Sequence, residues 1–110
     1  MSDQKPIPKI FVKLIVDDEE AMAAYYAKTY AMKEVTRVSG DSVGEGEAFR
    51  EIILSADGSY AGESFVLWKF ANRPKPRDQQ VIVGFITNDL EALSVRIVEN
   101  GGRLVGPLSS

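Results

Sequence analysis

The amino-acid sequence predicts an α+β domain in which a strand–helix–strand order occurs twice. Three observations predict it. β-branched apolar runs alternate with runs of helical period. Glycine-bearing turns divide the middle of the chain into three consecutive strands. A proline-bearing stretch then separates two parts that begin alike. The order is β-α-β-β-β, linker, β-α-β, an internal repeat whose second copy lacks its last two strands. The first module covers 9–70, the linker 71–79 and the partial second module 80–110. A chain of 110 residues suits one domain with one core.

The first strand is "KIFVKLIV", 9–16, with apolar groups on both faces. In "DDEE" that follows, Asp17 or Asp18 is placed to cap a helix, and the next acids suit its positive end. The helix runs to about Tyr30, with Met22, Tyr25, Tyr26 and Thr29 as its apolar stripe. "KEVTRVS" (33–39), "EAFREIILS" (47–55) and "SFVLWKF" (64–70) are three strands in an antiparallel meander. Asp57-Gly58 marks the second of its turns. Pro74 and Pro76 keep 71–80 out of a strand or helix interior. "QVIVGFIT" (80–87) is predicted as a strand, Asn88 or Asp89 as a cap, and 90–100 as a helix. Leu90, Leu93, Ile97 and Val98 are its inward candidates, and Gly101-Gly102 its stop. A last strand is predicted from Arg103.

Composition excludes several functions. The net charge is −3 and there is no basic run, so counterion release gives nucleic acid little hold. No apolar run approaches the length of a membrane span, and "MSDQKPIPK" has no apolar core of a secretory signal, so a cytoplasmic protein with no membrane partner is expected. There is no cysteine and no histidine. Thiol and Ser-His-Asp catalysis are therefore excluded, as is the usual transition-metal ligand. "GDSVGEGE" lacks the strand-to-helix setting of a phosphate loop.

The words "EEAMAAYYAKTYAMKEV" (19–35) and "ITNDLEALSVRIVENGGRLVGP" (86–107) are similar to the first and second helices of the glyoxalase/bleomycin-resistance/dioxygenase family, the vicinal oxygen chelate superfamily. The first supplies an aromatic pair, a turn and Met-Lys before a strand; the second supplies a Gly-Gly stop and a Gly-Pro. The resemblance implies paired βαβββ modules forming a curved mixed sheet around a pocket, the second module incomplete at the C-terminus. Its enzymes hold a divalent metal with His or Glu. Carried over, the first-, fourth- and fifth-strand ligand positions fall on Phe11, Leu67 and Ile82, none of which binds metal. No metal and no cofactor are therefore expected. Ala31 stands where the family commonly has Gly at the helix end.

Strand alternation assigns the cavity wall. With Val12, Leu14 and Val16 towards the helix, Phe11, Lys13 and Ile15 face the cavity. The same parity is expected to turn Phe65, Leu67, Lys69 and Ile82 into it, and to place Val66, Trp68 and Phe70 under the helix. Arg50 and Glu51 point to opposite faces, and alternation does not say which looks inward. An oily wall with two ammonium groups suits a hydrophobic small molecule bearing an acidic group. The expected function is metal-independent binding of such a ligand, for sequestration or resistance, in a homodimer. The alternative is a lyase or isomerase of the same fold with Glu51 as base and Lys13 or Lys69 stabilising an enolate. The unfinished second sheet is expected to be completed by a partner subunit or, preferably, by further chain after Ser110.

Overall fold

The computed structural model describes residues 11–40, 47–60, 63–79, 81 and 83–106. The first module forms as a four-stranded sheet with one helix on it. β1 (Phe11–Ile15) leads through Asp18 into α1 (Glu19–Tyr30), and β2 (Lys33–Gly40), β3 (Phe49–Ser55) and β4 (Ser64–Phe70) follow. The spatial order is β1-β4-β3-β2. β2, β3 and β4 pair antiparallel, and β1 lies parallel to β4. The parallel pair requires a crossover, and α1 begins it.

The α1 start is set by Asp18, whose side chain accepts from the Ala21 amide at 3.0 Å. Its end is set by Ala31, which adopts the left-handed conformation with φ 56°. That is a strained choice for a residue with a Cβ. α1 buries Ala23 and Tyr26 against Val16, Ile52, Leu54, Phe65 and Leu67, with Leu14, Met22, Tyr25 and Tyr30 around them. Asp57-Gly58 makes its turn as read, with Gly58 at φ 82° and Asp57 accepting from the Ser59 amide at 3.0 Å.

The linker runs back along the outer edge of β1. Asp17 accepts from the Lys75 amide at 2.7 Å. The Gln79 carboxamide both donates to and accepts from the backbone of Ile15, at 2.6 and 3.1 Å. It occupies the two groups that a neighbouring strand would take, which closes that part of an exposed edge.

After the linker the expected pattern holds for the helix and fails for the strands. α2 (Leu90–Glu99) forms between an Asp89 cap, accepting from the Ala92 amide at 3.0 Å, and a two-glycine stop. The stop is a Schellman arrangement: Gly102 donates to Ile97 and Gly101, at φ 95°, donates to Val98. Leu93 is buried, but Leu90 and Val98 are exposed, contrary to their expected inward setting. The reason is that α2 packs against α1 alone among the described elements and has no sheet beneath it. Residues 81, 83–87 and 103–106 are not in strands. A strand needs a ladder partner, and no described residue supplies one to either segment.

Candidate functional site

The sheet has two faces, and the β1–β4 register decides what each carries. Val12 pairs with Phe65 and Leu14 with Leu67, so Phe65 and Leu67 share the helix side with the core. Lys69 follows them: it pairs with Arg50, and Arg50 reaches Glu19 on α1. The expected cavity setting of Phe65, Leu67 and Lys69 is thus reversed. Leu67 is 0% exposed beneath α1, and Lys69 donates to the Arg73 carbonyl at 3.2 Å. The physical reason is that "SFVLWKF" is apolar on both faces, so alternation sets its period but not its phase. Val66 and Trp68, expected under the helix, face away from it. Ile82 lies outside the described residues.

The face turned away from α1 carries Phe11, Lys13 and Ile15 from β1, Glu51 and Ile53 from β3, and Ser64, Val66 and Trp68 from β4. Glu51, not Arg50, therefore looks to this side. Phe11, Lys13, Glu51, Ile53, Tyr60, Ser64 and Val66 line a cavity of about 270 Å³. Phe11, Lys13 and Glu51 were identifiable from the sequence. Ile53, Ser64 and Val66 were missed because their facing depends on cross-strand register, and Tyr60, 57% exposed, forms the rim. Ile15 faces the same way but stands outside this cavity, opposite Trp68.

The polar centre of the wall is compact. Lys13 Nζ lies 3.5 Å from Glu51 Oε2 and 4.0 Å above the Trp68 ring, with Phe11 at 5.6 Å. The cation is thus held between a carboxylate and an aromatic face. Trp68 stacks on Phe49 with centroids 4.2 Å apart. Gly40 admits the Phe49 ring, since a Cβ there would stand 2.7 Å from it. Among the described residues, Ser64 Oγ and Trp68 Nε1 on this face are buried without a hydrogen bond, as is Thr29 Oγ1 on α1, and the buried Glu51 Oε2 has the Lys13 ammonium as its ion-pair partner.

The helix side has a different electrostatic character. Arg50 forks onto the Glu19 carboxylate, with contacts at 2.5 and 3.3 Å, and holds its pKa below the ordinary carboxylate value against the opposing effect of burial. Arg37 bridges Glu34 and Glu20. These pairs tie α1 to the sheet. Burial, helped by Tyr25, pushes the Tyr30 hydroxyl up to about 12.

A divalent metal does not fit the donors present. Of the three carried-over positions, Phe11 reaches the open face, Leu67 does not, and the open face of β4 offers Ser64, Val66 and Trp68 instead. The single carboxylate there is paired with an ammonium group, which repels a cation. Among the described residues no group of three or more His, Cys, Asp or Glu is placed to hold an ion.

A glyoxalase family protein from Bacillus cereus superposes on the whole of this chain, over 83% of its own length, with a TM-score of 0.74 and 16% identity. The chain has the glyoxalase fold. No family model matches it, and no curated protein does. The glyoxalase fold accounts for the parallel β1–β4 pair and for the curved, unclosed sheet. No helix among the described residues is long and apolar enough to cross a membrane.

Proposed function

We propose that the open face of this glyoxalase-fold sheet binds a small, mainly apolar organic molecule bearing one acidic or hydrogen-bonding group. The observation that carries this reading is the cavity around Lys13 and Glu51. Its walls are Phe11, Ile53, Val66 and the Tyr60 rim, and its polar groups are few and convergent. A hydrophobic body rests on the apolar wall. An acidic group exchanges with Glu51 for the Lys13 ammonium, or takes the Ser64 hydroxyl. Sequestration or resistance, in the cytoplasm, needs nothing more than such binding. A second copy of the chain, covering the exposed Phe11, Val38 and Tyr60, completes the pocket in this reading. Phe65, Leu67 and Lys69 are not part of it.

One observation favours a second reading, catalysis without metal. Glu51 Oε2 is buried with the Lys13 ammonium 3.5 Å away, so a carboxylate that takes a proton from a bound ligand and a cation that stabilises the resulting oxyanion stand side by side.

Trp68, the one tryptophan of the chain, reports on the site directly. Titration with aromatic acids should change its fluorescence saturably. Lys13→Met should weaken binding about tenfold by removing the charge partner. Absence of any saturable response in a broad screen of aromatic acids and drug-like compounds would remove the binding reading. Turnover of a bound compound, abolished in Glu51→Gln with binding intact, would select the catalytic one.

A further inference from the structure

A second cavity lies on the other side of the sheet, at the C-terminal end of α1. It measures about 770 Å³ and is bounded by Tyr30, Met32, Phe65, Val83 and Phe85, with Val12 at the sheet edge. Ser64 is the one residue that also borders the open-face cavity. No step of the binding or catalytic readings above uses it.

Its chemistry differs from that of the open face in two ways. Among the described residues, the charged side chains lining it are Asp57 and Glu63, both exposed and both acidic. Hydrogen bonds from the Ser59 amide and hydroxyl hold the Asp57 pKa below its ordinary value, so it keeps its charge. Tyr30 and Ala31, the carbonyl end of α1, close one side and add negative potential. The remaining wall is mainly apolar, with Val12, Met32 and Val83 beside the aromatic Phe65 and Phe85. Tyr30 and Phe85 stack face to face, with centroids 3.9 Å apart and planes 9° from parallel, and Phe65 stands edge-on to Tyr26 behind them. Aromatic faces and carboxylates both attract cations, and neither attracts anions. Phe85 is still 38% exposed, so a ligand has ring surface to cover.

We propose that this second cavity binds organic cations, an amine or quaternary ammonium group carried on an aromatic or aliphatic body. The cationic head sits between Asp57 and Glu63 at the mouth, and the body lies along Met32, Val83 and the Tyr30–Phe85 pair. The open face, whose cation is the Glu51-paired Lys13, is proposed above to take the opposite charge. The two faces of one sheet thus sort ligands by sign.

The test is a nuclear magnetic resonance titration of the full chain with benzyltrimethylammonium, benzyl alcohol and benzoate in turn. The ammonium compound should shift the amides of Val83, Gly84 and Phe85 saturably and leave the Trp68 indole N–H, on the opposite face, unmoved. Benzyl alcohol and benzoate should do so weakly or not at all. Glu63→Gln should weaken the cation about threefold and Glu63→Lys about tenfold or more, while Lys13→Met has no effect. Phe85→Leu keeps an apolar side chain but removes the ring, and should weaken the ammonium compound about threefold. Glu63 is exposed, so its variants should fold, and an unchanged Trp68 signal checks that they do. The proposal is overturned by no saturable shift at Val83–Phe85 at millimolar ligand. It is equally overturned by benzoate or benzyl alcohol binding as well as the cation, by Glu63→Lys binding unchanged, or by a Trp68 shift that tracks the ligand. Each of these outcomes leaves the open-face reading standing or falling on its own titration.

Discussion

The first module and the region after the linker are built from similar sequence patterns and reach different ends. In the first, β1 to β4 form a complete ladder, and α1 lies on it over a core in which Ile52, Leu54 and Leu67 are almost fully excluded from water. In the second, α2 forms with a good cap at each end, yet 81 and 83–87 are in no strand and find no ladder partner among the described residues, and Ile86 is fully exposed. The difference is one of range. A helix satisfies its hydrogen bonds within itself, so Asp89, Gly101 and Gly102 suffice to make α2. A strand satisfies its hydrogen bonds through another segment, so "QVIVGFIT" has the composition of a strand, yet its described residues 81 and 83–87 do not have the conformation of one.

The contrast is broken or sharpened most strongly by truncating one apolar residue in each region. Leu67→Ala should lower the unfolding free energy by about 3 kcal/mol, since it opens a cavity under α1, whereas Ile86→Ala should change it by less than about 0.5 kcal/mol. Chemical denaturation measures both. An equal loss at the two sites would show that 83–87 is packed as tightly as β4.

A smaller effect tests how α2 is attached. A Cβ on Gly102 would stand 2.6 Å from the Tyr25 hydroxyl and 2.8 Å from Ile97 Cγ2. Gly102→Ala should cost about 2 kcal/mol of α2 docking, seen as faster amide exchange in 90–99 with β3 and β4 unaffected. Uniform destabilisation would instead make α2 part of the first module's cooperative unit.

Within the first module, Glu19→Gln should cost about 1 kcal/mol at neutral pH, because Glu19 is 4% exposed and bound to Arg50. Its folded pKa lies below the ordinary value of 4.5, so its stabilisation is complete above about that pH and is lost as pH falls through the folded value. The gap between wild type and variant should therefore close in acid, and a gap constant down to pH 3 would dissociate the pair from stability. The smallest expected effect is a gain. Ala31→Gly relieves a left-handed Cβ at the end of α1 and should stabilise by about 0.5 kcal/mol in thermal unfolding.

How far the candidate site could be read in advance follows the same division. Phe11 and Lys13 were legible because Val16 and the α1 junction anchor the phase of β1. Glu51 was legible as a candidate but not as an inward residue. Phe65, Leu67 and Lys69 were assigned to the wrong face because nothing in "SFVLWKF" distinguishes its two sides. The second cavity had no signal at all, since Asp57 and Glu63 of the β3–β4 connection and Phe85 beyond the linker are brought together only by the fold.

The sequence by itself determined what depends on neighbours a few residues apart: the Asp18 and Asp89 caps, the Asp57-Gly58 turn, the Ala31 and Gly101-Gly102 helix ends and the positions of both helices. Only the tertiary structure decided which face of β4 meets α1, that Glu51 and not Arg50 accompanies Lys13, and that the segment after the linker stays out of a ladder. The physical reason is that alternation along a strand is relative. Its absolute sign, and whether the strand exists, are set by hydrogen bonds and packing against residues far away in the chain.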